Sequence, residues 1–112
     1  MILDDLKKKL VEYQKSGDQL RVGILRYFLS QVQNKEIELR TSGTELTDEV
    51  VFKVLRKLVK DRKESIEVFQ KAGRQDLRDK ETNELNVLKE FAAFFPFDLE
   101  SVPFPHKIPE KK

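Results

Sequence analysis

Arg62, Glu81 and Glu84 stand where the helical pattern of this chain calls for carbon. Val51, Val54, Leu55, Leu58, Ile66 and Phe69 recur at the i, i+3, i+4, i+7 spacing of one helix face, and Arg62 falls among them. Glu81 and Glu84 interrupt a second stripe made by Leu77, Leu85, Leu88 and Phe91, and Glu36 interrupts a third further upstream. Carboxylates three residues apart share a helix face, so Glu81 and Glu84 can do acid/base work or, joined by Glu36, hold a metal ion. Arg62 offers a planar fork for a carboxylate or phosphate, with Ser65 one turn along as a second donor. The third possibility is structural: the charges pair with one another and fix helix register, in which case removing one partner costs about 3–5 kcal/mol.

A second group lies on the other side of the same helix. Lys53, Arg56, Lys57, Lys60 and Lys63 keep helical spacing and are candidate phosphate contacts. Glu64 and Glu67 fall in the same arc and pair with Lys60 and Lys63 at i, i+4, which a solvated, salt-bridged face would also do. Between residues 47 and 73 basic side chains outnumber acidic ones by only seven to five, and the interleaved aromatics of a single-strand binder are missing from this face. For the whole chain 22 Lys and Arg oppose 20 Asp and Glu, so any electrostatic role must come from local patterning.

Familiar catalytic patterns are absent. The single histidine, His106, sits in a proline-rich tail, there is no cysteine, and no cluster has zinc-ligand spacing. Gly17, Gly23, Gly43 and Gly73 are too scattered for a phosphate loop, and no serine has a Ser-x-x-Lys or Gly-x-Ser-x-Gly setting. No catalytic residue can be named from these patterns, and neither a cofactor nor a metal is expected.

The elements that must position these residues are helices. All four prolines follow residue 95, and a chain of 112 residues is one domain by prior. The predicted architecture is an all-α antiparallel bundle of about four helices over residues 1–95, followed by an extended Pro- and Phe-rich arm over 96–112. The first helix runs from Ile2 to about Lys15 with Leu3, Leu6, Leu10 and Tyr13 inward, and breaks at Ser16-Gly17-Asp18. The second runs from about Gln19 to Arg40, burying Val22, Leu25, Leu29, Val32 and Leu39. Thr47 is the expected N-cap of the third, with Asp48 and Glu49 in its first turn, and Ala72-Gly73 its left-handed end. The fourth spans about Asp76 to Phe95. Folding the last two into a hairpin at Gly73 sets Phe69 against Leu77, Leu58 against Leu88, Leu55 against Phe91 and Val51 against Phe95. The same symmetry sets Arg62 against Glu84 and Ser65 against Glu81.

Taken together, several blocks closely resemble the YqeY-like proteins. They are Leu25-Arg26, Asn34-Lys35-Glu36-Ile37-Glu38, Leu46-Thr47-Asp48-Glu49, Lys57 with Lys60-Asp61-Arg62-Lys63-Glu64-Ser65-Ile66, Lys71-Ala72-Gly73-Arg74-Gln75-Asp76-Leu77, and Glu81 with Glu84-Leu85. The resemblance covers about residues 1 to 91. It implies a helical domain followed by a small tail domain shared with the GatB subunit of the glutamine-dependent aminoacyl-tRNA amidotransferase, where the tail contacts tRNA. It therefore implies a link to carbon–nitrogen ligation with glutamine as amido-nitrogen donor, and tRNA or an amidotransferase component as partner. The family's Tyr-Leu-Pro-x-Gln boundary is replaced here by Phe91-Ala92-Ala93-Phe94-Phe95-Pro96, and the tail domain is expected to be absent. Arg26, Asn34, Glu36, Lys57, Arg62, Ser65, Arg74, Glu81 and Glu84 match the family pattern and are the candidate shared site.

The expected role is an accessory or binding module, non-catalytic by itself. The alternative is a protein–protein adaptor that docks through Phe91, Phe94, Phe95, Phe97 and Phe104. No signal-peptide core or apolar span of membrane length occurs, and a cytoplasmic protein is expected.

Overall fold

A computed structural model describes residues 1–97 and 99. Four helices account for nearly all of them: α1 (Ile2–Ser16), α2 (Gln19–Thr41), α3 (Asp48–Lys71) and α4 (Gln75–Ala92), with no strand among the described residues. Phe104 and His106 lie outside the described residues.

The helix ends follow local chemistry. Gly17 closes α1 at φ 74°, and Asp18 then caps α2 by accepting the Arg21 N–H at 3.1 Å. Thr47 accepts the Val50 N–H at 3.2 Å and opens α3. Gly73, at φ 72°, reverses the chain into α4 while the Arg74 N–H returns to the Phe69 carbonyl at 2.9 Å. Asp48 has a second task, because its Oδ1 accepts the Ile2 N–H at 3.1 Å and so supplies α1 with a cap from the start of α3.

α3 and α4 form the most extensive helix pair, and α2 lies across them while also packing on α1. The core is built from Leu6, from Ile24, Leu25, Phe28 and Val32, from Val51, Phe52, Leu55, Leu58 and Val59, and from Leu85, Val87, Leu88, Phe91 and Phe95. Because α2 touches all three other helices, its buried line is Ile24, Leu25, Phe28 and Val32, while the expected Val22, Leu29 and Leu39 are half-buried. No side chain between residues 60 and 84 is fully buried. The far half of the α3–α4 hairpin therefore projects beyond the core, consistent with a radius of gyration of 15.5 Å where about 13 Å is usual for 100 residues.

One expectation about the C-terminal end is corrected. α4 stops at Ala92 rather than Phe95, because Pro96 disfavours helical geometry in the residue before it. Of the phenylalanines named as docking candidates, Phe91 and Phe95 are buried, while Phe94 and Phe97 are half-buried. Phe91 is buried beside Phe28, with ring centroids 6.2 Å apart, and Phe95 is buried against Phe52 at 5.2 Å. Phe97 also packs on Phe52, with ring centroids 5.1 Å apart, and Leu99 joins Val59 in the wall of a groove along α3. Fully buried Phe52 recruits these rings, since a large apolar surface on the second face of α3 must be covered.

Candidate functional site

The described structure divides the candidate residues among five places. Arg62, Glu81 and Glu84 meet between α3 and α4, where Arg62 Nη1 donates to Glu81 Oε1 at 2.9 Å and lies 3.0 Å from Glu84 Oε1. The three side chains retain only 25%, 15% and 14% exposure. The hairpin thus brings Arg62 to Glu84 as its symmetry predicts. Glu81, expected opposite Ser65, turns instead to Arg62, and no Ser65–Glu81 hydrogen bond forms among the described residues. A full guanidinium charge draws a carboxylate more strongly than a hydroxyl does.

Arg26 and Glu36 lie elsewhere, lining a groove of about 390 Å³ between α1 and α2 over Leu3, Leu10 and Leu29. Glu36 is therefore not a third ligand beside Glu81 and Glu84, and no group of three or more metal-ligating side chains assembles among the described residues. Arg74 is at the exposed hairpin tip, 3.4 Å from Asp76, and its hydrogen bond holds the Asp76 carboxyl below its ordinary range. Asn34 lines a second groove, of about 380 Å³, between α2 and α3, together with Tyr27, Gln31, Lys53 and Lys57.

The basic stripe forms a groove of its own. Arg56, Lys57, Lys60 and Lys63 surround a space of about 580 Å³ on the outer side of α3, with Val59 and Leu99 as its apolar wall. Asp61 and Glu64 stand in the same groove, and Lys57 reaches Asp61 at 3.4 Å. Exposed i, i+4 pairs of this kind are weak and leave the lysine available to a stronger anion.

These arrangements differ in what they can do. Arg62 already serves two carboxylates, so an incoming anion would have to displace them from a locally negative site. The trio favours the observed register, because sliding α4 by one turn along α3 would leave Arg62 at most one of its two carboxylates. The α3 outer groove, by contrast, presents cations to solvent along more than two turns of helix.

Residues 3–101 match the family model described as "Yqey-like protein". The chain belongs to the Yqey-like family. Relatives of this Yqey-like protein include "Altered inheritance of mitochondria protein 41, mitochondrial" of Kluyveromyces lactis, which is 37% identical over 92 residues, or 82% of this chain and 46% of that protein. The protein of the same name in Saccharomyces cerevisiae is 30% identical over 100 residues, covering 89% of this chain and 51% of its own length. An uncharacterized protein of Schizosaccharomyces pombe is 37% identical over 86 residues, covering 77% of this chain and 68% of its own length. The chain thus spans about half the length of its mitochondrial relatives.

Those names overturn the expected cytoplasmic location, since they belong to mitochondrial proteins. The expectation rested on missing cysteines and a missing apolar leader. Neither distinguishes the compartments, because a mitochondrial address is amphipathic and Arg-rich rather than apolar. No described helix of this Yqey-like protein is long and apolar enough to cross a membrane.

One connection escaped sequence reasoning altogether. Arg21 bridges Asp18 and Glu90, with Nη1 2.9 Å from Asp18 Oδ2, and Nε and Nη2 2.9 and 2.6 Å from the two oxygens of Glu90. Hydrogen bonding to Arg21 holds the Glu90 carboxyl below its ordinary value, and the Arg21 backbone N–H followed by its side chain does the same to Asp18. The Asp-x-x-Arg spacing announces the local half of this cluster. Nothing in the sequence announces Glu90, because α2 and α4 are not neighbours in the chain.

Proposed function

We propose that this Yqey-like protein is a non-catalytic binding module in tRNA-dependent amidotransferase biology, holding an RNA backbone along the outer side of α3. The observation that carries the reading is the groove of Arg56, Lys57, Lys60 and Lys63 against Leu99. From residue 56 to residue 63 a helix rises about 10 Å, the axial length of about three nucleotides of one strand. The four cations make the contact salt-dependent, and the interspersed Asp61 and Glu64 keep it weak, as expected of a module that assists a larger assembly. The amidotransferase link rests on the family's resemblance to the GatB subunit. The adaptor alternative is less favoured, because Phe91 and Phe95 are committed to the core and Phe97 to Phe52.

The deciding experiment is a mobility-shift titration of tRNA over a salt series. Binding at low salt should fall steeply as salt rises and be abolished by Lys57→Glu with Lys60→Glu. No shift at low salt, or a shift indifferent to the double charge reversal, removes the reading.

A further inference from the structure

The α2–α3 groove combines features that the outer face of α3 lacks. Tyr27 stands on its rim with 48% of its surface exposed, far more than a packing role for a ring of that size requires. Gln31 and Asn34 follow Tyr27 at i+4 and i+7 on the same side of α2, and Val54 and Leu58 contribute an apolar floor from α3. Lys53 and Lys57 face them from the α3 side. Lys57 and Asp61 line both this groove and the basic groove outside α3, so the two spaces adjoin across one helix edge.

We propose that the α2–α3 groove is a pocket for an unpaired RNA base, with Tyr27 as its stacking platform. This rests on the RNA reading above and adds a site to it. A strand held by Arg56 and Lys60 passes Lys57, which binds a phosphate, and the adjoining base turns into the groove. There its ring lies on Tyr27 over Val54 and Leu58, while Gln31 and Asn34 offer both donors and acceptors to its edge. The volume of about 380 Å³ lies in the range of small-molecule pockets and far below that needed by a duplex. Charge does not separate a nucleotide from an acidic peptide, and the attraction for either is small because Lys35, Lys53 and Lys57 are opposed by Glu38 and Asp61. Stacking must then carry the affinity, and the exposed ring is what supplies it. The aromatic partner for the basic stripe was invisible in the stripe itself, because it comes from a different helix.

The chain has two tyrosines and no tryptophan, so Tyr13→Phe leaves Tyr27 as the sole emitter above the phenylalanines. In that background, a single-stranded RNA oligonucleotide should quench tyrosine emission saturably, and a fully paired duplex of the same sequence should not. Tyr27→Ala should weaken single-strand binding about fivefold to a hundredfold, the range for loss of one stacked base, while Tyr27→Phe retains it. Circular dichroism of both variants checks that the helices remain intact. If the single strand binds without quenching and Tyr27→Ala binds it normally, the base pocket is overturned while the backbone reading survives. If neither tRNA nor the oligonucleotide binds at low salt, both fall together.

Discussion

Arg21 clasps Glu90 with two parallel hydrogen bonds of 2.9 and 2.6 Å, tying the first turn of α2 to the last turn of α4. The paired groups lie 69 residues apart, and no other pair of oppositely charged side chains joins α2 to α4 among the described residues. Its position at the open ends of both helices makes it a fastening for termini that otherwise fray.

Stability should therefore depend on acid in a defined way. Glu90 and Asp18 titrate below their ordinary values of 4.5 and 3.8 in the folded protein because Arg21 bonds their ionised forms. Carboxylates with lowered folded values stabilise the fold above the unfolded value and lose that contribution as pH falls through the folded one. Thermal melts of the wild type and Arg21→Gln should differ most at neutral pH and converge well below pH 3.8. A gap that stays constant down the acid limb would exclude this origin.

The trio between α3 and α4 should respond asymmetrically. Glu84→Gln leaves Arg62 its bond to Glu81, whereas Arg62→Met leaves two half-buried carboxylates one turn apart with no cation. Urea unfolding should show a loss of about 1–3 kcal/mol for Arg62→Met, less than for a fully buried pair, and under about 1 kcal/mol for Glu84→Gln. Adding Glu81→Gln and Glu84→Gln to Arg62→Met should recover most of the loss. Equal losses for the two single variants would contradict the sharing of Arg62.

Phe52 and its ring neighbours make the end of the described chain part of the core. Phe95→Ala should cost about 3–4 kcal/mol in urea unfolding, as buried Phe truncations do. Phe97→Ala, at a half-buried ring, should cost less than half as much. If deletion of residues 96–112 left stability unchanged, the Phe97 contact would have no energetic weight.

Two glycines should move stability in opposite directions. Gly23 is helical, exposed and has open space where a Cβ would sit, so Gly23→Ala should stabilise by about 0.5–1 kcal/mol. Gly73 has equal space but φ 72°, so Gly73→Ala should destabilise by about 1 kcal/mol. Thermal midpoints of the two variants on either side of the wild type are the check.

Much of this was legible before the fold was seen, where information is local or relates adjacent helices. The helix break at Gly17, the left-handed turn at Gly73, the Thr47 cap and the Arg62–Glu84 approach all follow from spacing within a helix or symmetry across one hairpin. What was hidden depends on contacts between helices distant in the chain. Arg21 with Glu90, Tyr27 beside Lys57, and Phe52 beneath Phe95 and Phe97 each require knowing how α2 crosses the hairpin or where the chain goes after α4. Glu36 illustrates the converse: its interruption of an apolar stripe resembles those of Glu81 and Glu84, yet it belongs to the α1–α2 groove.

The hairpin beyond Arg62 has a consequence for how the molecule tolerates changes of length. Full burial ends before residue 60 on one arm of the hairpin and resumes at Leu85 on the other, so the span between is held by half-buried side chains such as Ile66, Phe69 and Leu77 and by the Arg62 trio. Matched removal of whole helical turns from both arms would shorten the projection without disturbing any buried side chain. The reach of this tip is in that sense an adjustable dimension of the protein, and the Arg62 trio is the mark from which it is measured.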